Sequence, residues 1–260
     1  MPVLYLGGVS PGDFHDTHSD LLGKDAPNLS PSVIVRLKED WAADYTRWQK
    51  RDLSARRYVH IGADGAYLQA RGLSIPPELV MADGALGFWK ALEEVFPTTR
   101  HQHCWVHKTA NVLNKVAKSV QPTIKQDLRE IWMAPDGETA EAALATFAKE
   151  YAAKHSKAVE CLTKDREALL AFYDLPAEHW EHIRTTNPIE SVFATVRHGT
   201  IRAKGTLSQE AAKLMVFKLI TAAAKTWRRL QGENLLPKVI EGVTFRNGIE
   251  ATQAASQSAA

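Results

Sequence analysis

The residues from Glu78 to Phe96 constrain the fold more than any other stretch. Glu78-Leu79-Val80-Met81 is a short apolar run of strand character. Asp83-Gly84 is a turn signal, and Leu86 to Phe96 carries apolar residues at helical spacing. A strand that turns directly into an amphipathic helix belongs to an α/β architecture, where functional groups collect beyond the carboxyl ends of strands. Asp83 stands at that place. An Asp-Gly turn also occurs with no chemistry, so Asp83 gains weight only in company.

Two further carboxylates supply it. Tyr58-Val59-His60-Ile61 alternates and runs into Asp64-Gly65, followed by Ala66-Tyr67-Leu68-Gln69-Ala70. This predicts a β-hairpin with Asp64 at or near its turn. Far downstream, Thr186-Asn187-Pro188-Ile189-Glu190-Ser191 opens a helix with Asn187 as cap, Pro188 in the first position and Glu190 three residues after the cap. Capping alone accounts for Glu190, yet a carboxylate in a first helical turn is also well held for a metal. Three acids on separate elements are what a divalent-metal phosphoryl-transfer site requires.

Between them lies Cys104-Trp105-Val106-His107-Lys108, with His101 and His103 just before it. Cys104 and His107 have the spacing of half a zinc site. Thr98 to His107 is expected to be a strand after the break at Pro97, which puts His101, His103, Trp105 and His107 on one face and Cys104 on the other. With no second ligand pair, zinc is not expected.

The remainder is mostly helical. Residues 11–57 form a helix-turn-helix-like pattern in which the second helix, capped around Asn28-Leu29-Ser30-Pro31, carries Arg36 and Lys38 and continues through Trp41, Tyr45 and Trp48. A plain helical hairpin fits the same pattern. Ala110 to Val120, Thr123 to Met133, Thr139 to His155 and Ala158 to Tyr173 show helical spacing. Pro188 to Val196 opens a further helix, and Ser208 to Leu230 is expected to be the longest. The tail, 251–260, is small and polar and expected to be disordered.

Net charge is only +2, so the total gives no argument for a polyanionic partner. The distribution does. Arg197 to Arg229 holds eight Lys/Arg and one acid, whereas Lys125 to Glu190 holds eight Lys/Arg against thirteen Asp/Glu. A basic stretch beside an acidic one suits a nucleic-acid face, although a solvated helix surface has the same composition. Two cysteines make no disulfide framework, and no stretch has the apolar length of a membrane span; a cytoplasmic, nucleoid-associated protein is expected.

Met81-Ala82-Asp83-Gly84-Ala85-Leu86-Gly87-Phe88-Trp89, Cys104-Trp105-Val106-His107-Lys108 and Thr185-Thr186-Asn187-Pro188-Ile189-Glu190-Ser191 together resemble the Mutator-type transposases of bacterial insertion sequences. Ala63-Asp64-Gly65 resembles that family's first catalytic aspartate. The resemblance runs from Leu4 to about Ile249. It implies a ribonuclease H-like core with an all-α insertion, preceded by a helical DNA-binding segment. It also implies an Asp-Asp-Glu site in which Asp64, Asp83 and Glu190 hold two magnesium ions. Cys104 and His107 match a Cys-x-x-His signature of uncertain role. Implied partners are insertion-element ends and target DNA, with the protein acting as a homo-oligomer. Arg197, Arg202 and Lys204, with Arg36 and Lys38, are the candidate phosphate contacts. The corresponding division is 1–56 helical DNA-binding remnant, 57–107 first part of the core, 108–184 helical insertion, 185–250 last part of the core and 251–260 tail.

The chain departs from that pattern in one place. Only eighteen residues, 65–82, separate Asp64 from Asp83. The rest of a strand meander, a helix and their connections would take roughly 30–40 residues. An internal deletion near Gln69-Ala70-Arg71 is expected, together with a start inside the family's N-terminal region. The expected consequences are an exposed sheet edge and a displaced Asp64, which leaves open a catalytically inactive DNA-binding or transposase-binding protein.

Overall fold

The computed structural model describes residues 31–61, 72–84, 86–186, 193–194, 196–197, 208–225 and 227–251. The chain divides into two compact units, one drawn from residues 1–51 and 189–228, the other from residues 52–188 and 229–260.

The first unit is helical. Helix α1 spans Pro31–Gln49. It packs against α8, Gln209–Ala224, whose N-cap Ser208 accepts a hydrogen bond from Ala211 N–H at 3.2 Å. Trp41 on α1 is buried, as are Leu214 and Met215 on α8. Lys218 pairs with Asp44 at 2.6 Å, and Phe217 meets the Tyr45 ring edge-on at 5.4 Å. Helix α1 continues through Trp41, Tyr45 and Trp48 as expected; the helix expected before it lies outside the described residues. Helix α8 ends at Ala224, six residues short of the expected Leu230, and buries no side chain after Met215.

The second unit is mixed α/β. Strands β1 (His60–Ile61), β2 (Leu79–Ala82) and β3 (Arg100–His103) form a parallel sheet in the order β1-β2-β3, so β2 is central. His60 pairs with Leu79 and Ile61 with Val80; Leu79 to Ala82 then pair with Arg100 to His103. The return arm expected for the Tyr58–Ile61 hairpin, 66–70, lies outside the described residues. Helix α2, Leu86–Val95, crosses between β2 and β3.

Strand alternation sends side chains to two cores. Ile61 and Val80 face Trp89, Leu92 and Phe96 of the α2 side, with Leu53 and Leu73 completing a small cluster. Val59 and Leu79 face the other way, into a larger core built by the helices that follow β3. Those helices are α3 (Trp105–Leu113), α4 (Gln121–Trp132), α5 (Gly137–Thr163), α6 (Arg166–Leu170) and α7 (Trp180–Ile183).

Local signals explain them. Pro122 sits in the first turn of α4, and Ile124, Leu128 and Ile131 make its buried stripe. Asp136 caps α5 by accepting from Thr139 N–H at 2.7 Å. Among the described helices α5, not α8, is the longest, and it kinks at His155 (φ −135°, ψ 45°), where the spacing predicts one helix ending and another about to begin. Tyr173 closes the α4 end by donating its hydroxyl to the carbonyls of Ile131 and Ala134, at 3.2 and 3.0 Å.

The chain returns to this unit after residue 229. Short helix α9 (Leu236–Ile240) precedes a hairpin of β4 (Phe245–Arg246) and β5 (Ile249–Glu250). Asn247 (φ 52°) and Gly248 (φ 80°) make its turn, the pair of left-handed residues a two-residue hairpin favours. Asn247 Oδ1 accepts from Gly137 N–H at 2.9 Å, and Gly248 N–H donates to Tyr173 O at 3.0 Å. A Cβ on Gly248 would stand 2.6 Å from that of Ala177, so only glycine fits.

Candidate active site

Asp83 directly follows the last residue of the central strand, and Gly84 turns the chain with φ 97° into α2. Its carboxylate is exposed and opens on a cavity of about 290 Å³. His103, Cys104, Lys108, Asn111 and Asp165 line the same cavity. Asp83 therefore stands at the carboxyl end of a parallel strand, as the sequence predicts.

The cavity wall is built by β3 and the start of α3. Gln102 is fully buried and uses its whole amide: Nε2 donates to the carbonyls of His103 and Leu169, at 2.9 and 3.1 Å, and Oε1 accepts from Phe172 N–H at 2.9 Å. Trp105 Nε1–H also donates to Leu169 O, at 2.9 Å. These bonds weld the strand beside Asp83 to the helices that follow it. Lys108 is buried, donates to Cys161 O at 3.0 Å and forms an ion pair with Asp165. A buried ammonium needs such a partner, because desolvation otherwise makes its charge costly.

His103 lies 3.7 Å from the same Asp165 carboxylate. Burial nevertheless pushes its proton affinity below the ordinary imidazole value, outweighing the pull of Asp165, so the ring favours its neutral form. His101 is shifted the same way by burial, against Glu93. Both rings stack on Trp89, at 4.5 Å for His101 and 4.9 Å for His103.

The Cys-x-x-His segment differs from the strand expected over Thr98–His107. The strand ends at His103; Cys104 is the N-cap of α3, and His107 lies one turn in. Residues three apart on a helix share a side, and Cys104 and His107 both meet Thr186. Thr186 donates its backbone N–H and its hydroxyl to Cys104 Sγ, each at 3.2 Å, and its Oγ1 lies 3.4 Å from His107 Nδ1. The opposite-face arrangement is corrected. Alternation over ten residues reads as a strand, but the indole bond of Trp105 and the burial of Lys108 require a helical turn here.

Of the other expected site residues, Asp64 and Glu190 lie outside the described residues, as do Arg202 and Lys204. Arg36 is exposed and Lys38 half-buried on α1; Arg197 is exposed and helical. Lys108, Asp165, Gln102 and Thr186 had no role in the sequence reading. Lys108 and Thr186 stand inside the quoted motifs, whereas Asp165 and Gln102 carry no local signal. Among the described residues, no three His, Cys, Asp or Glu side chains converge to hold a metal by themselves. None of the described helices is long and apolar enough to cross a membrane.

With this geometry in view, comparison with known proteins is specific. The sequence profile of the Mutator family of transposases matches residues 66–229, a span that includes Asp83, Cys104, His107 and Glu190 and begins two residues after Asp64. The chain belongs to the Mutator family of transposases. It is 43% identical over 279 residues to the transposase for insertion sequence element IST2 of Acidithiobacillus ferrooxidans, covering 90% of this chain and 94% of that protein. It is 39% identical over 294 residues to the transposase for insertion sequence element IS6120 of Mycolicibacterium smegmatis, covering 95% and 90%. The transposase for insertion sequence element IS905 of Lactococcus lactis subsp. lactis is 31% identical over 243 residues, 76% of this chain and 61% of its own length. The first two alignments are longer than the 260 residues of this chain, so both relatives carry residues with no counterpart here.

Proposed function

We propose that this chain is the transposase of an insertion element, cleaving DNA phosphodiester bonds and transferring strand ends from a ribonuclease H-like core. The observation that carries the proposal is the position of Asp83 at the end of the central parallel strand. The register supports it further. Ile61 pairs with Val80, and in sequence Asp64 follows Ile61 by the same three residues by which Asp83 follows Val80. Parallel strands continuing in that register would carry the two aspartates side by side.

In this reading Asp64, Asp83 and Glu190 hold two magnesium ions. The donor chemistry fits: magnesium takes hard oxygen ligands, Asp83 offers an exposed carboxylate, and the buried ammonium of the same cavity is already neutralised by Asp165. Bound there, the ions would supply activation of a water or a DNA 3′ hydroxyl and stabilisation of the leaving oxygen. The protein's own contribution is positional. The sheet and the Gln102 and Trp105 bonds fix where Asp83 points, and neutral His103 adds no positive charge beside it. Arg197, Arg202 and Lys204, with Arg36 and Lys38, would hold the phosphate backbone without reading sequence. The substrates would be element ends and target DNA, engaged by a homo-oligomer at the nucleoid.

A second reading, a protein that binds DNA or a full-length transposase without cutting, is favoured by the residues missing relative to the two longer relatives. In this reading the gap would fall between Asp64 and Asp83, which only eighteen residues separate. Magnesium-dependent cleavage of supercoiled DNA carrying the cognate ends separates the two. We expect cleavage that Asp83→Asn reduces by about 10²- to 10³-fold or more, the range for removing one preorganised electrostatic group. DNA binding with no cleavage, restored by a chain of full family length, would establish the second reading instead.

A further inference from the structure

The cavity at Asp83 has a second wall, which the function just proposed leaves without a role. Lys108, Asn111 and Lys115 follow one another at three- and four-residue spacing along α3 and the turn after it, so they share a side. Lys115 N–H donates to Val112 O at 3.0 Å, which carries the coil on past Leu113. Asn111, Asn114 and Lys115 line the cavity, and the end of α5 adds Cys161 and Lys164.

These groups differ from the rest of the cavity in what they bind. Lys108 and Asp165 neutralise each other. The side chains of Asn111, Asn114, Lys115 and Lys164 are exposed and make no hydrogen bond or ion pair with any described residue. A lysine at the carboxyl end of a helix is favoured by the helix dipole, and that would explain one at each helix. It does not explain why both helices bring theirs, with two asparagine amides, into one cavity that a carboxylate also faces. With the Lys108 pair set aside, the described side chains leave two ammonium charges there against Asp83 alone. His103 favours its neutral form and adds none.

Such a set suits a phosphodiester. Lysine supplies point charges and asparagine supplies amide donors, the groups that hold backbone phosphates without reading sequence. The volume, about 290 Å³, is the share of about ten waters in the liquid, room for a stretch of sugar–phosphate backbone. We propose that Lys115 and Lys164, with Asn111 beside them, form a phosphate-binding wall that holds the backbone of the strand presented to Asp83. This rests on the reading above that Asp83 faces DNA.

The first measurement is the salt dependence of binding to a duplex carrying the cognate ends. It is made in the Asp83→Asn background without divalent ions, which removes both cleavage and the repulsion between carboxylate and phosphate. Lys115→Gln and Lys164→Gln are each expected to lower the slope of log K against log salt by about one, and Lys115→Arg to keep it. Asn111→Asp, which sets a negative charge against the phosphate, weakens binding. Lys118→Gln is the control, since Lys118 is exposed on the same stretch and does not line the cavity; its slope matches the parent. Thermal midpoints confirm that each variant folds.

The second measurement uses Cys161, the half-buried cysteine of the cavity, because Cys104 is buried. Alkylation of Cys161 by iodoacetamide is expected to slow when the wild type is saturated with DNA, and not in sodium phosphate of matched ionic strength. Parental slopes in both lysine variants, or equal protection by phosphate alone, overturn the wall. If Asp83→Asn still abolishes cleavage in that case, the reading of Asp83 stands without it. If the slopes fall and DNA shields Cys161 while the wild type cuts nothing, the wall stands and belongs to the non-cutting reading. A chain that binds no DNA ends both.

Discussion

The two faces of the sheet are built to different standards. On one side, α3 to α7 enclose a core of more than twenty buried residues, closed by side-chain bonds such as those of Tyr173 and Gln102. On the other side, among the described residues, helix α2 completes a cluster of seven buried residues, three of which, Leu53, Leu73 and Phe96, come from irregular chain. Asp83 stands at the junction, just after a strand with which β1 pairs at two residues among those described. The thick side gathers residues from Val59 to Phe245. The buried residues of the thin side lie within 53–96, and Asp83 follows the strand that both sides share.

The largest effect should come from removing one leucine on each side. Leu128→Ala in α4 and Leu73→Ala beside α2 both empty a fully buried site, at a cost of about 2–5 kcal/mol each. Denaturant titration paired with cleavage per folded molecule tells the two faces apart. Leu128→Ala is expected to lower stability and leave the cleavage rate of folded protein intact, whereas Leu73→Ala lowers both. Equal rates per folded molecule would erase the contrast.

Next in size is the ion pair beside the Asp83 cavity, on the thick side. Asp165→Asn leaves the Lys108 ammonium buried without its counter-charge. The expected loss is about 2–3 kcal/mol, below the fully buried range because Asp165 keeps some contact with water. Lys108→Met in the same background should recover part of it. No recovery in the double variant would mean the pair is not coupled.

Much of this contrast is legible in the sequence, and unevenly so. The β2–Asp83–α2 unit and helices α4 and α5 announce themselves through periodicity, because each buries one regular stripe such as Ile124, Leu128 and Ile131. The start of α3 does not. His101 to His107 alternates like a strand, and only the distant partners Leu169, Asp165 and Thr186 show that the chain coils after Cys104. The terminal hairpin escapes a reading by pattern although Asn247-Gly248 is a strong turn signal, because strands of two residues show no alternation. The joining of residues 189–228 to α1 rests on contacts such as Lys218 with Asp44, which no local pattern reveals.

Acid should weaken the packing of β1 against the thick side. His60 on β1 is buried against His179, and burial, with His179 and His182 nearby, lowers its pKa from 6.5 to about 3. The unfolded chain therefore takes up the proton first. The contribution is complete above pH 6.5 and declines as pH falls toward 3, by on the order of 2 kcal/mol between pH 6.5 and pH 5. His179, also lowered by burial, acts in the same direction. Unfolding followed across this range should show a flatter slope in His60→Leu; an unchanged slope would remove His60 from the account.

The smallest effects belong to the basic residues of the other unit. Neutralising Arg197, Arg202 and Lys204 should weaken DNA binding at all sequences and reduce the slope of log K against log salt by about one for each phosphate no longer neutralised. Lys218→Gln should leave that slope unchanged, because Lys218 already pairs with Asp44. A slope that responds to Lys218 and not to Arg197 would reverse the assignment.

The hairpin at Asn247-Gly248 has a consequence for synthesis. Its turn supplies the acceptor for the first amide of α5 and the donor for Tyr173, residues made more than seventy positions earlier. A nascent chain leaving the ribosome cannot make these bonds until residue 248 has emerged. Helices α3 to α7 must wait partly open until then. A product ending before Phe245 would carry the Asp83 strand and the Cys104–His107 segment but lack the latch that closes the body behind them. Structural completion is thereby tied to translation as far as residue 248.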